Sequence, residues 1–199
     1  QLDEATIELD PDKDELAFFV MLVVGAGGDI VIHDIHSTSV VPLTSKLTQL
    51  GVGFKIEDTS LHVWVDDPRS LNPLEIHSRS YPGFDANWSL WLSMALTQVD
   101  GVSKITFKTV PSMMAKFMEC LEKYGGEVKL RAQEDVNYLE VFGPTKFKAF
   151  DSIYLSDEVI TCAFFAAVLT GETITISSHV DASTMYDSFF EKFQKLGIT

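Results

Sequence analysis

Apolar positions in this chain fall into two kinds of helical pattern that alternate with short strands. Leu16 to Ala26 (LAFFVMLVVGA) is apolar on nearly every face, which predicts a helix buried inside a fold. Before it, Ala5 to Leu9 alternates like a strand and Asp10 to Asp14 forms a polar turn. After it, Gly27-Gly28 stops the helix and GDIVIHDI alternates as a strand running to Ile35. Val40, Leu43, Leu47 and Leu50 then mark a one-sided helix, with Gly51 placed for a left-handed C-terminal cap. Strands Gly53 to Glu57 and Leu61 to Val65 and an extended piece over Leu74 to Ser78 complete the unit.

The order then recurs. An all-apolar helix runs from Trp88 to Val99, the strand SKITFKTV follows Gly101, and a one-sided helix carries Met114, Phe117, Met118, Leu121 and Tyr124 up to Gly125-Gly126. Strands EVKLRAQ, YLEVFG and TKFKAF follow. A third round gives VITCAFFAAVL, a Thr170-Gly171 turn, the strand ETITISSHV and a helix with Met185, Phe189, Phe193 and Leu196 ending at Gly197. Gly27, Gly101 and Gly171 are 74 and 70 residues apart, and Gly51, Gly125 and Gly197 are 74 and 72 apart. The spacing predicts one α/β domain over 1–199, built of three βαβαββ-type units at about 5–80, 81–152 and 153–199, the last incomplete. Helices apolar all round belong at the centre, with one-sided helices and sheets around them.

Composition narrows the partners. Twenty-nine Asp and Glu against 15 Lys and Arg give a net charge of -14, which repels polyanions, so neither nucleic acid nor an anionic membrane is expected as a partner. The longest apolar run falls short of the roughly 18 residues that a membrane-spanning helix needs. Only three arginines occur, Arg69, Arg79 and Arg131, few for a site that must hold phosphate by planar bidentate donors. Cys120 and Cys162 lie in apolar helical patterns and read as buried reduced thiols in a reducing, cytoplasmic setting. The first residue is Gln, from which a trimmed or processed start is expected.

The segments IELDPDKDELAFFVMLVVGAGGDIVIHDI and SYPGFDANWSLWLSMALTQVDGVSKIT resemble the enolpyruvyl transferases. Those enzymes carry a P-D-R-I-E-A-type helix start, a strand ending in P-Y-P-G-F-P-T-D, a T-D-L-R-A helix start and an A-E-G-x-T strand start. The matching positions are Pro11-Asp12-Lys13, Ser80 to Phe84, Ser156-Asp157 and Thr170-Gly171-Glu172-Thr173. The resemblance spans nearly the whole chain and includes the threefold repeat. It implies an inside-out α/β barrel domain with helices inside and sheets outside, one of two domains enclosing a substrate cleft. The YPGF segment favours the branch of the family that moves the enolpyruvyl group from phosphoenolpyruvate to UDP-N-acetylglucosamine for peptidoglycan synthesis. Asp157-Glu158 followed by CAFFAA is similar to the 3-phosphoshikimate branch, the alternative within the family. A UDP-sugar, phosphoenolpyruvate and the family's other domain or a second copy of the chain are thereby implied as partners, with no cofactor and no metal.

The implied site is incomplete here. The family's reactive cysteine sits in a G-C-x-I-G-x-R-P-like segment of the other domain, and neither Cys120 nor Cys162 inherits its role. The carboxylate closing P-G-F-P-T-D, implied as proton acceptor, aligns with Asn87, and an amide cannot take that proton. Asp85, two residues earlier, offers a carboxylate, or else serves as a turn or helix-start residue. Thr109 and Val110 align where the family contacts the nucleotide sugar. Three family arginines that hold phosphoenolpyruvate align with a methionine in the stretch Val110 to Met114, with Val159, and with Ala182 or Thr184. Their joint absence predicts that this chain alone does not catalyse the transfer, and leaves open a divergent binding or scaffold module of the same fold.

Other signals read as structural. His33 and His36 flank Asp34 on a strand, where their rings would point to opposite faces and hold no zinc. His62 and His77 alternate with core residues and face solvent, and His179 ends a strand before Asp181. Phe18, Phe19, Trp91 and Phe165 are apolar enough either to fill the core or to meet a partner.

Overall fold

The computed structural model describes residues 11–80, 82–133, 136–150, 159–175 and 188–197. In chain order these form α1 (Lys13–Ala26), β1 (Gly28–Ile32), α2 (Val41–Leu50), β2 (Gly53–Glu57), β3 (Ser60–Val65), a 3-10 turn at Pro68–Ser70, and β4 (Glu75–Ser78). There follow α3 (Ala86–Leu96), β5 (Gly101–Phe107), α4 (Met114–Lys123), β6 (Glu127–Gln133), β7 (Val136–Gly143), α5 (Ile160–Thr170) and α6 (Phe189–Lys195). The strand expected at Ala5 to Leu9, Ser156-Asp157, His179, Asp181, Ala182 and Thr184 lie outside the described residues, as does most of ETITISSHV.

Local chemistry explains where the helices begin and end. Asp12 caps α1, its Oδ1 accepting from the N–H groups of Asp14 and Glu15, and both of those carboxylates also favour the positive end of the helix. Every residue from Leu16 to Gly25 is buried, as the all-round apolar pattern requires. Gly51 closes α2 at φ 82°, the left-handed conformation that its missing side chain permits.

The three all-apolar helices pack on one another. Phe18 of α1 meets Trp91 of α3 and Phe165 of α5 edge to face, each at 5.7 Å between ring centroids. Contacts between α1 and α3 ascend together, from Asp14 with Trp88 through Phe18 with Trp91 to Gly25 with Ala95, so the two helices run parallel. Phe189 and Phe193 of α6 close the same aromatic cluster against Phe18 and Phe164.

Two sheets pack against these helices. The first has the order β1-β3-β2, all antiparallel, and buries Ile30, Leu61, Val63 and Val65. The second has the order β4-β5-β7-β6 and buries Ile76, Ile105, Phe107, Leu139 and Val141. The order β1-β3-β2 recurs as β5-β7-β6, while β4, from the end of the first round, joins the second sheet parallel to β5. The chain that forms the first sheet therefore continues into an edge strand of the second.

Three local expectations change. β1 stops at Ile32, before His33, because Asp34 turns the chain at φ 59° and Ile35 N–H donates to Thr59 O at 2.9 Å. TKFKAF forms no strand: Thr145 N–H and Oγ1–H both donate to Thr97 O, and Lys148 N–H donates to Tyr124 O, so the segment is tied to helix ends rather than to a ladder. His62 is half-buried and pairs with Asp29 across the strands, Nε2 to Oδ1 at 2.8 Å.

Candidate functional site

The strand register gathers the aligned residues at one end of the second sheet. Ser78 of β4 lies opposite Phe107 of β5, and on its other side Ser78 makes a parallel bridge to Phe84. Asp85 and Asn87 follow Phe84, while Thr109 and Val110 follow Phe107, so both pairs leave the sheet at the same end. Two strand spacings separate the two exits, about 10 Å.

The return from Ser78 to Phe84 is held by Arg79 N–H donating to Phe84 O at 2.8 Å and Gly83 N–H donating to Ser80 O at 2.9 Å. A side chain at Gly83 would bring its Cβ within 2.7 Å of Arg79 Cβ and 3.0 Å of Ser80 O, so the turn admits only glycine. Asp85 then caps α3: its Oδ1 accepts from Asn87 N–H at 2.9 Å and its carbonyl accepts from Ser89 Oγ at 2.8 Å. The helix-start role expected as one alternative for Asp85 is the one observed. Its other carboxylate oxygen has no partner among the described residues. Asn87 is exposed in the first turn, Thr109 is exposed, and Val110 packs partly into the core.

The N-terminus of α1 adjoins this end. Trp88 is buried, yet its indole Nε1–H donates to Asp14 Oδ1 at 2.8 Å. Lys13 Nζ donates to the same oxygen at 2.9 Å and stands 5.5 Å above the Trp88 ring. That hydrogen bond holds the Lys13 ammonium above its ordinary pKa against the opposing effect of burial, with further support from the carboxylates of Asp14, Asp85 and Asp12.

Arginine alignment meets the core directly. Of the two methionines in the stretch aligned with a family arginine, Met114 is 2 % exposed and Met113 is half-buried, and Val159, aligned with another, is 3 % exposed, so these positions are apolar and packed. Sequence reasoning overlooked Arg79. Its side chain is exposed beside the Ser78–Phe84 bridge and makes no ion pair with a described residue, whereas Arg131 is spent on Glu140 at 3.2 Å. The signal was its place immediately before the SYPGF segment. The cysteines are both free and buried. Burial, and a hydrogen bond donated to Cys120, push the Cys162 thiol well up, away from nucleophilic use.

No family model matches the chain. It is 28% identical over 188 residues to UDP-N-acetylglucosamine 1-carboxyvinyltransferase 2 of Listeria monocytogenes, covering 94% of this chain and 43% of that protein. It is 26% identical over 192 residues to the enzyme of the same name from Bacillus subtilis, covering 95% of this chain and 43% of the relative. The chain thus spans less than half the length of the curated relatives it matches. Among solved structures it is similar to the enolpyruvyl transferase NikO from Streptomyces tendae, with a TM-score of 0.69 at 17% identity over 97% of this chain and 44% of that one. EPSP synthase from Acinetobacter baumannii gives a TM-score of 0.64 at 19% identity over 94% of this chain and 45% of that one. No helix among the described residues is long and apolar enough to cross a membrane.

Proposed function

Since the chain belongs to the enolpyruvyl transferase family and matches one of its domains, we propose that it supplies the acceptor-binding half of a UDP-N-acetylglucosamine 1-carboxyvinyltransferase. In that reaction the acceptor's 3-hydroxyl oxygen takes the enolpyruvyl group from phosphoenolpyruvate, phosphate leaves, and the hydroxyl proton passes to a base. The observation that carries the reading is the convergence of Asp85, Asn87, Thr109 and Val110 on one sheet end, within a chain whose curated relatives bear that name. The roles follow from chemistry. Backbone groups at Thr109 and Val110 and the amide of Asn87 offer hydrogen bonds to a nucleotide sugar, the open oxygen of Asp85 is the group able to accept a proton, and Arg79 supplies a cation toward the diphosphate.

The wider arrangement belongs to the same proposal. Three units at about 5–80, 81–152 and 153–199 would form an inside-out barrel around α1, α3 and α5, supported by the mutual contacts of Phe18, Trp91 and Phe165. A second domain would close over the sheet end and bring the donor's cationic groups and the reactive cysteine, so the chain alone releases no phosphate. A cytoplasmic setting accords with its nucleotide-sugar acceptor.

Calorimetric titration of UDP-N-acetylglucosamine into the chain tests this reading. A saturable signal that is weakened by Asp85→Ala, Asn87→Ala and Arg79→Ala is expected; flat heats with the native chain overturn it. Shikimate 3-phosphate as the second titrant separates the two branches. A non-catalytic module of the same fold is the other reading, favoured by the burial of Met114 and Val159 where the family places arginines.

A further inference from the structure

Beside this site, and independent of the reading given to it, lies a cleft of about 540 Å³ between the start of α1, the end of β1 with the turn after it, and the end of α6. Its interior is apolar. Leu16, Phe19, Ile30 and Ile35 line it, each less than a tenth exposed, and its mouth carries Val31 and Leu196, which are 50% and 37% exposed. The apolar surface of the cleft that water still reaches lies on Val31 and Leu196, and a ligand that covers it gains roughly 25 cal/mol per Å².

The polar rim is asymmetric in what remains available. Asp12 is committed to the N–H groups at the start of α1, and Glu15 is committed to Lys192 in an ion pair of 2.5 Å. Lys13 is held by Asp14. Lys195, at the end of α6, lines the cleft and makes no ion pair with a described residue, whereas the hydroxyl of Ser39 is committed to His36 O at 2.8 Å. The positive end of the 14-residue helix α1 adds to the same potential. Asp34 is the remaining rim carboxylate, and its charge opposes a second negative group. The turn that carries it is preformed: Ile35 N–H is bonded to Thr59 O, and His33 Nδ1 lies 2.9 Å from Ser60 Oγ.

We propose that this cleft binds an amphiphilic anion, a compact apolar chain or ring system carrying one carboxylate or phosphate head, with the apolar body against Val31 and Leu196 and the head at Lys195.

Decanoate, decyl phosphate and decanol, titrated separately into the chain by calorimetry below their micellar concentrations, test the proposal. Saturable binding of at least one anion, tighter than that of decanol, is expected, and whichever anion binds more tightly identifies the head. Both variants below lie on exposed side chains, and circular dichroism checks that each keeps its fold. Lys195→Glu should weaken the anions about tenfold, with decanol unchanged and Lys195→Arg like the native chain. Leu196→Asp should weaken all three. Absence of saturable binding, insensitivity to both substitutions, or competition by UDP-N-acetylglucosamine would overturn the proposal; loss of acceptor binding in Asp85→Ala with decanoate binding intact supports two separate sites.

Discussion

Trp88 Nε1–H donates to Asp14 Oδ1, joining two residues 74 positions apart, the same interval that separates Gly27 from Gly101. The bond therefore links the first turns of two helices that occupy equivalent places in successive rounds. It also fixes the end of the molecule where Asp85 begins α3 and Lys13 begins α1. A buried indole N–H without an acceptor would be costly, so Asp14 serves both packing and electrostatics.

Replacing Trp88 by Phe removes the donor and part of the ring while keeping an aromatic residue. We expect a loss of about 1–3 kcal/mol in urea unfolding. Asp14→Ala leaves the indole N–H unpaired and should cost at least as much, whereas Asp14→Asn keeps an acceptor and should cost less. A double-mutant cycle of Trp88→Phe with Asp14→Ala measures the coupling; additive effects would mean that the bond contributes nothing.

Lys13 gives this end a pH dependence at the alkaline limit. Its folded-state pKa is raised, chiefly by the hydrogen bond to Asp14, so the folded chain binds the proton more tightly than the unfolded chain. The resulting stability is fully present below the unfolded value of about 10.4 and is lost as pH rises through the higher folded value. Urea midpoints measured from pH 9 to pH 11.5 should fall more steeply for the native chain than for Lys13→Met. Parallel curves would remove Lys13 as the cause.

The parallel approach of α1 and α3 sets a steric limit at Gly25. A Cβ there would lie 3.1 Å from Ala95 Cα, so Gly25→Ala sets a gain in helix propensity of up to about 1 kcal/mol against a tight contact. Gly25→Leu has no such room and should destabilise by about 1–3 kcal/mol. Thermal unfolding of both variants checks the ordering, and a Leu variant as stable as native would show that the helices separate freely.

Both thiols should be inert in the folded chain. Cys120 and Cys162 are buried; burial raises the Cys162 thiol, whereas the hydrogen bond from Cys162 lowers the Cys120 thiol, so Cys120 is protected by its burial rather than by its protonation. Ellman's reagent at pH 8 should react with neither thiol in the native chain on the timescale in which both react in guanidinium. Fast native reaction of either would mean that α4 and α5 open locally.

Much of this architecture was legible because period and burial are local signals. The all-round apolar runs that begin at Leu16 and Val159 called for an interior, and Leu16 to Gly25 and Val159 to Ala166 are buried, while Gly27, Gly51 and Gly171 close the helices they follow. The transfer of β4 into the next sheet was not legible, since strand partners depend on contacts remote in sequence. Nor was the end of β1, where Asp34 takes a left-handed conformation that alternation cannot signal. Of the two alternatives that the motif left open for Asp85, its place as a helix-start residue is seen in the cap of α3. Lys13, Asp14 and Trp88 meet only through the packing of α1 on α3.

Met114 lies in the stretch that aligns with a family arginine, and its burial decides what a cation introduced there would do. Were the position exposed at the sheet end, Met114→Arg would add a cation there without burying its charge. Met114 is instead 2 % exposed in the first turn of α4, packed among residues that include Phe117 and Leu121. An arginine there must either bury its charge or pull the start of the helix outward, and an unpaired buried charge is strongly unfavourable. We expect Met114→Arg to destabilise the chain by about 3–5 kcal/mol and to confer no binding of phosphoenolpyruvate by calorimetry. A stable Met114→Arg variant that binds phosphoenolpyruvate would show that the donor site persists apart from one side chain, and would favour an enzyme over a non-catalytic module.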